Sequence, residues 1–320
     1  MIADNFESKI KENIEELSIS AKKVAVALSG GSDSLALTIA LKNIGLDVLA
    51  ILVNHHLRAE AGEEIKETIK TIKKFKIDYI VENWDGKYKK NLESEARTAR
   101  YSLLLEVCKK ENINTLCIGH HIDDQIETFL LNLARGSGLD GLCAMPKKNT
   151  IDGVNVIRPM LNLTKQNCRD YLLHLGVKWC EDESNKDIKY KRNKIRYLIN
   201  QIEDKDILVK RIANTIEILQ EVRETMDDLI DGMDKKIVKY DKNSAFFNKN
   251  DLLVLTKYLQ KSLITKCILK LSGKEYKPRL YQIENILSSI TEEKDFKRTI
   301  MNLIIKKKGD IVEVYKMKKI

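Results

Sequence analysis

Val24-Ala25-Val26-Ala27-Leu28-Ser29-Gly30-Gly31-Ser32-Asp33-Ser34 decides how this chain is read. Its first five residues are an apolar run with β-branched members, which predicts a short buried strand. After Ser34 come Leu35, Leu37, Ile39 and Leu41, apolar almost all round as far as Lys42, which predicts a buried helix. Between strand and helix, two glycines let the backbone turn sharply and present successive N–H groups to an anion. The helix adds its positive N-terminal end. The hydroxyls of Ser29, Ser32 and Ser34 can donate to phosphate oxygens, and Asp33 can hold a Mg²⁺ that bridges them. No Lys follows the glycines, so this is not the G-x-x-x-x-G-K-S/T loop of common NTPases, nor is it the dinucleotide pattern G-x-G-x-x-G.

Outward from that loop, strand and helix signals alternate. Strands are predicted at Val48–Asn54, Tyr79–Glu82, Thr115–Gly119 and Val154–Arg158. Helices are predicted over Glu60–Lys76, Glu93–Lys110, Asp123–Ala134 (stopped by Gly136) and from a Thr164 cap to Leu175. Continuous apolar strands in β-α-β order mean an α/β fold, a doubly wound parallel sheet covered on both faces. Ligands of such sheets bind beyond the carboxyl ends of the strands. Those ends are Ser29 onward, Asn54-His55, Asn83-Trp84 and Gly119-His120, so Asn54, His55 and Gly119 join the loop as nucleotide-binding candidates. Beyond Asn200 the pattern changes. Ile202–Met233 and Leu252–Leu271 read as helices, and Thr299–Ile305 and Ile311–Tyr315 as two strands joined through Lys306–Asp310. The expected division is a catalytic domain at 1–200 and a mainly helical domain at 201–320 ending in a small β hairpin.

Composition narrows the function. The chain has 320 residues, and its net charge of +9 is unevenly placed. Residues 235–320 carry 21 Lys and Arg against 9 Asp and Glu, while the remainder is slightly acidic. A basic C-terminal part predicts a polyanionic partner, most often nucleic acid, although a solvated Lys-rich surface has the same composition. Lys306, Lys307 and Lys308 are phosphate-contact candidates within it. Six scattered cysteines without a Cys-x-x-Cys pair argue against a thiolate metal site or disulfide framework. No run approaches the roughly 20 apolar residues of a membrane span, and Asp4, Glu7 and Glu12 make a signal peptide unexpected. The expectation is a soluble, cytoplasmic protein with no membrane partner; the sequence allows a homodimer.

A second cluster, His120-His121-Ile122-Asp123-Asp124-Gln125-Ile126-Glu127-Thr128, starts where the fourth strand ends and runs into a helix. Asp123 and Glu127 share a helix face, as do Asp124 and Thr128. Acidic residues in a first turn are also ordinary capping material. Opposite a phosphate loop they can bind Mg²⁺ or an ammonium, and a His can stabilise negative charge. Arg97 and Arg100, three apart on one helix, suit a shared anion.

The loop S-G-G-x-D-S resembles the PP-loop of the N-type ATP pyrophosphatases, which have an adenine nucleotide alpha hydrolase-like fold and cleave ATP between its α- and β-phosphates. Other motifs resemble one family of that class, the tRNA(Ile)-lysidine synthetases. They are Glu95-Ala96-Arg97-Thr98-Ala99-Arg100-Tyr101, the His120–Thr128 cluster, Arg135-Gly136-Ser137-Gly138, Arg158-Pro159-Met160, Trp179-Cys180-Glu181-Asp182 and Arg192-Asn193-Lys194-Ile195-Arg196. Asn54-His55-His56-Leu57-Arg58 departs from the family's D-H-x-L-R at its first residue. The resemblance covers about residues 21–200.

The resemblance implies that Ser29, Gly30, Gly31, Ser32, Asp33 and Ser34 hold the pyrophosphate of ATP, with Mg²⁺ on Asp33. It implies adenylation of C2 of the first anticodon cytidine in a tRNA(Ile) bearing CAU, followed by attack of the ε-amine of L-lysine. Asp33, Arg97, His120, Asp123 and Asp124 are then the catalytic candidates, and Arg192 and Arg196 join the lysines as tRNA contacts. Alternatives are a PP-loop tRNA thiolase, which usually needs paired cysteines, an amide-forming synthetase, which would have little use for a basic appendage, or a non-catalytic RNA-binding module.

Overall fold

Phe6, Ile10 and Ile14 recur four residues apart and are all buried, forming one stripe of helix α1 (Ile2–Glu16). Reading the sequence assigned no element before Val24, because charged residues dominate between those anchors. In the computed structural model, residues 2–19, 21–54, 61–84, 92–181, 191–274 and 276–317 are described. Strand β1 (Lys23–Ala27) and helix α2 (Ser32–Asn43) flank the glycine loop as expected. Then come β2 (Asp47–Asn54), α3 (Ala61–Lys74), β3 (Asp78–Asn83), α4 (Leu92–Lys110), β4 (Thr115–Cys117), α5 (Ile122–Ala134) and the short α6 (Leu139–Leu142). They are followed by β5 (Lys148–Ile151), β6 (Val154–Ile157), α7 (Lys165–His174) and α8 (Lys191–Asn200).

The first sheet has the order β3-β2-β1-β4-β6-β5. Every neighbouring pair is parallel except β5 on β6. The order of winding reverses beside β1, with β2 and β3 laid to one side and β4 and β6 to the other. That is the switch point where a crevice opens beyond the strand ends. Alternation along β1 feeds two cores. Val24 and Val26 face a cluster built with α1, α2 and α7, whereas Ala25 faces a cluster built with α4. Strand β5 was not anticipated. Asp152 and Gly153, with φ of 49° and 81°, form the two-residue turn that folds it back on β6. An Asp-Gly pair between alternating residues was the available signal.

The chain divides into compact units at Met1–Gln220 and Glu221–Ile320. Helix α9 (Lys205–Ile237) is followed by β7 (Lys239–Tyr240), β8 (Ser244–Asn248), α10 (Lys249–Leu253), α11 (Lys257–Ser272), α12 (Leu280–Glu292), β9 (Phe296–Ile300), β10 (Leu303–Lys308) and β11 (Ile311–Lys316). Their strands form an antiparallel sheet ordered β7-β8-β11-β10-β9. The two expected final strands are thus part of a five-stranded sheet. Thr299–Ile305 is two strands, because Met301 and Asn302 turn with positive φ between Ile300 and Leu303. The expected helix Leu252–Leu271 is likewise two, broken before Thr256, the N-cap of α11.

Candidate active site

Gly30 takes φ of 86°, in the left-handed region, and a Cβ there would lie 2.6 Å from Thr68 Oγ1 on α3. Only glycine meets both conditions. Ser34 braces the turn. Its Oγ accepts the Ser29 N–H at 3.1 Å, lies 3.0 Å from Ser29 Oγ and donates to the Gly31 carbonyl at 3.2 Å. Gly31 caps α2, so the N–H groups of Ser32, Asp33 and Ser34 start the helix without intrahelical acceptors. This is a cradle for an anion, and it is backed from outside: the Cys180 N–H donates to the Gly30 carbonyl at 3.1 Å. Trp179, beside Cys180, packs half-buried against the core.

The end of β4 meets this loop closely. A Cβ on Gly119 would lie 3.1 Å from the Asp33 carbonyl group and from Ser34 Cα, so the glycine sets the spacing between the two segments. Next to it His121 is buried, with three carboxylates around its ring. Nε2 lies 3.4 Å from Asp33 Oδ2 and 3.5 Å from Asp124 Oδ2, and Nδ1 lies 3.2 Å from Asp123 Oδ2. Burial alone would push its pKa down, but hydrogen bonding to Asp123 and Asp33 and the charges of Asp124 and Asp33 raise it to about 10. The three carboxylates thus favour the imidazolium form of His121. His120, one residue earlier, goes the other way. Burial lowers it, the charges of Arg158, Arg97 and Arg100 lower it further, and Asp124 only partly opposes them.

Lys165 completes the group from α7. Its Nζ lies 3.9 Å from Asp33 Oδ2, and its backbone N–H donates to Asp123 Oδ2 at 3.0 Å. Burial pushes Asp33 up, but His121, Lys165 and Ser32 together hold its carboxyl below the usual carboxylate value. Asp123 is likewise pushed up by burial yet held down to about 2, chiefly by His121 and the Lys165 N–H. Asp124 accepts the His121 N–H at 3.1 Å and so closes a capping box on α5. The acidic residues thus cap a helix and surround a cation at once. Lys165 was missed by sequence reading, since a lone Lys after a helix cap carries no local signal.

Arg97 is exposed, its guanidinium 5.2 Å from the Tyr101 ring centre. Arg100 is half-buried, and burial followed by the charge of Arg97 lowers its pKa. Arg158 is buried and donates to the Pro146 carbonyl at 2.9 Å and Asn149 Oδ1 at 2.8 Å. Asn54 ends β2, and its carbonyl accepts the Trp84 N–H. His55 lies outside the described residues.

The proposed tRNA contacts separate. Arg196 Nε donates to Glu127 Oε1 at 2.7 Å, and Arg192 donates to Thr128 Oγ1 at 3.3 Å, so both turn toward α5. Glu127 is buried; burial raises its pKa while Arg196 opposes the rise. Lys306 and Lys308 are exposed, but Lys307 is buried and donates to the Glu293 carbonyl. Lys307 is a correction: the triplet lies in strand β10, where alternation turns its middle residue into the core, away from any phosphate.

Among the described residues, no group of three or more His, Cys, Asp and Glu is placed to cage a metal. Mg²⁺ on a nucleotide takes one or two carboxylates and completes its shell with phosphate oxygens and water. Asp33, partly exposed beside the phosphate cradle, fits that demand.

Residues 2–203 match the PP-loop domain model. The tRNA(Ile)-lysidine synthase of Wolbachia sp. subsp. Brugia malayi (strain TRS) is 34% identical over 316 residues, covering 96% of this chain and 73% of the relative. That of Rickettsia bellii (strain OSU 85-389) is 30% identical, covering 99% and 74%. The solved U34-tRNA thiolase NcsA from Methanococcus maripaludis, with its 4Fe–4S cluster, has a TM-score of 0.56 over 68% of this chain and 80% of that one. At 20% identity that likeness is one of fold. A PP-loop at the switch point and a likeness running along nearly the whole chain lead to one assignment: the chain belongs to the tRNA(Ile)-lysidine synthase family.

Proposed function

We propose that the chain joins L-lysine to the first anticodon cytidine of a tRNA(Ile) with a CAU anticodon, using ATP. The observation that carries this reading is the meeting of the phosphate cradle with His121, Asp33 and Lys165 at the switch point, in a chain of this family. The pyrophosphate of ATP lies on the N–H groups of residues 30–34. Protonated His121 and Lys165 offset its charge. Asp33 would hold Mg²⁺, which when bound neutralises charge on the phosphate oxygens.

Positioning and charge neutralisation are what phosphorus transfer needs from a protein. The cytidine O2 forms a bond to the α-phosphorus as the bond to pyrophosphate breaks. The lysine ε-nitrogen then bonds to C2, the C2–O bond to AMP breaks, and the amine loses its protons. The half-buried Asp123 is held at low pKa and taken up by His121 and the Lys165 N–H, which makes it a poor base. Either carboxylate, Asp123 or Asp124, is placed to pair with the lysine ammonium. Arg97, on the His120 side, suits the negative charge of the phosphates and AMP. The thiolase alternative finds no support in the cysteines. Five of the six are buried, and burial pushes the Cys108 thiol up to about 11 and the Cys267 thiol to about 12.

The test is incorporation of radiolabelled lysine into an unmodified tRNA(Ile) transcript bearing CAU, with and without ATP, against a tRNA(Met) transcript with the same anticodon. ATP-dependent label on the isoleucine tRNA alone is expected, and Asp33→Ala should abolish it. ATP cleaved to AMP and pyrophosphate without lysine transfer would overturn the choice of nucleophile.

A further inference from the structure

Among the described residues of the second unit, α10, α11 and α12 pack on one face of its antiparallel sheet. Phe247, Val312, Val314 and Ile305 turn toward the core shared with α10, α11 and α12. The alternate residues form the other face. There Phe246 of β8 and Tyr315 of β11 are half-buried, and Lys239, Lys297, Lys306 and Lys308 are exposed. Register aligns Lys297, Lys306, Glu313, Phe246 and Lys239 in one row across all five strands. Four steps between strands make that row roughly 19 Å long. Tyr315 stands two residues from Glu313 along β11, opposite Ser244 and Ile304.

Two features of this face point to a ligand. Lys297 and Lys306 sit directly opposite one another on neighbouring strands, a repulsion that Glu313, opposite Lys306 on β11, offsets only in part and that an anion would relieve further. Glu313 is the single acidic residue among the strand residues of the face. Two aromatic rings between lysines on an open sheet suit a ligand with alternating flat apolar groups and negative charges. Unpaired RNA has that chemistry: bases stack on the rings while phosphates meet the lysines. A paired helix would keep its bases from the rings.

We propose that this face is an RNA platform, binding unpaired nucleotides of the substrate tRNA by stacking on Phe246 and Tyr315 and by phosphate contact with Lys239, Lys297, Lys306 and Lys308. The proposal rests on the reading of the chain as a tRNA-modifying enzyme and adds the surface that holds the substrate away from the reacting base. It also gives two members of the Lys306–Lys308 run a role that the buried Lys307 does not share.

The test compares the wild type with two double variants, Phe246→Leu with Tyr315→Leu and Lys297→Gln with Lys306→Gln, on the unmodified tRNA(Ile) transcript. Loss of stacking should raise the KM for tRNA about tenfold or more, leaving the KM for ATP unchanged. Loss of the two lysines should make the dependence of log Kd on log salt shallower by about 1.5. Phe246→Tyr, which keeps a ring, should bind like the wild type and guards against a merely structural effect. Wild-type lysine transfer with unaltered KM and salt slope in both double variants overturns the platform but leaves the lysidine reading standing. A shallower slope without any effect of the aromatic pair also overturns it, leaving only a diffuse basic patch. If the wild type modifies no tRNA, the functional reading falls. The platform is then judged by direct binding of the same transcript, and unchanged affinity in both double variants overturns it.

Discussion

Gly119 shows how little room separates the two halves of the site. Its missing Cβ would stand 3.1 Å from backbone atoms of Asp33 and Ser34, and backbone cannot swing aside as a side chain can. Gly119→Ala should therefore displace the phosphate loop by a few tenths of an ångström. We expect lysine transfer to fall at least about tenfold, since small misplacements of reacting groups are costly. Stability should fall by roughly 1–3 kcal/mol. A variant with wild-type transfer would mean the loop has slack there. The cysteines allow a second check at this scale. Cys180 is half-exposed while the other five are buried, so a thiol reagent should label one cysteine quickly in the native protein and six after denaturation. Labelling of Cys180 should also perturb the loop, because its N–H holds the Gly30 carbonyl. ATP should then protect it.

Among the elements, α7 matters through its first turn. Thr164 Oγ1 accepts the Asn167 N–H at 3.1 Å, and the Asn167 side chain accepts the Thr164 N–H at 2.9 Å. This box fixes the start of the helix, and with it Lys165 beside Asp33 and Asp123. Thr164→Ala should cost about 1 kcal/mol of stability and lower lysine transfer by more than that loss alone explains, read as a drop in kcat at saturating ATP. Thr164→Ser should restore both. Full activity in the alanine variant would separate the cap from the site. Some elements were plain in the sequence for a physical reason. The middles of β1 and β2, residues 24–27 and 48–53, are continuous apolar runs because both of their faces are covered. α1 was not legible, because three apolar anchors among charges become a helix face only once α2 and α7 bury them. The split of β9 from β10 was hidden as well, since the Met301-Asn302 turn uses no glycine.

At the scale of the whole molecule, charge is divided against function. The slightly acidic part contains the proposed nucleotide site, whereas residues 235–320 carry 21 basic against 9 acidic residues. A substrate as highly charged as tRNA should therefore bind with a steep salt dependence. If four or five phosphates are neutralised, log Kobs should fall with log salt at a slope of about −3 to −4. A slope shallower than about −1 would remove the electrostatic role of the basic part. No helix of the described residues is long and apolar enough to cross a membrane.

The sequence by itself determined what is local. The strand, glycine loop and helix around Ser29–Ser34, the β-α-β alternation and the acidic first turn after His121 were readable because apolar periodicity and turn residues act within a few positions. The tertiary structure decided which of those pieces meet. His120 and His121 are neighbours in sequence, yet burial and arginine charges lower the pKa of one while three carboxylates raise that of the other, so only the fold drives them in opposite directions. Lys165 reaches Asp33, Arg196 reaches Glu127 and Lys307 turns away from solvent for the same reason. Sheet order, strand alternation and helix packing set these encounters, and those depend on long-range pairing that no short stretch of sequence encodes.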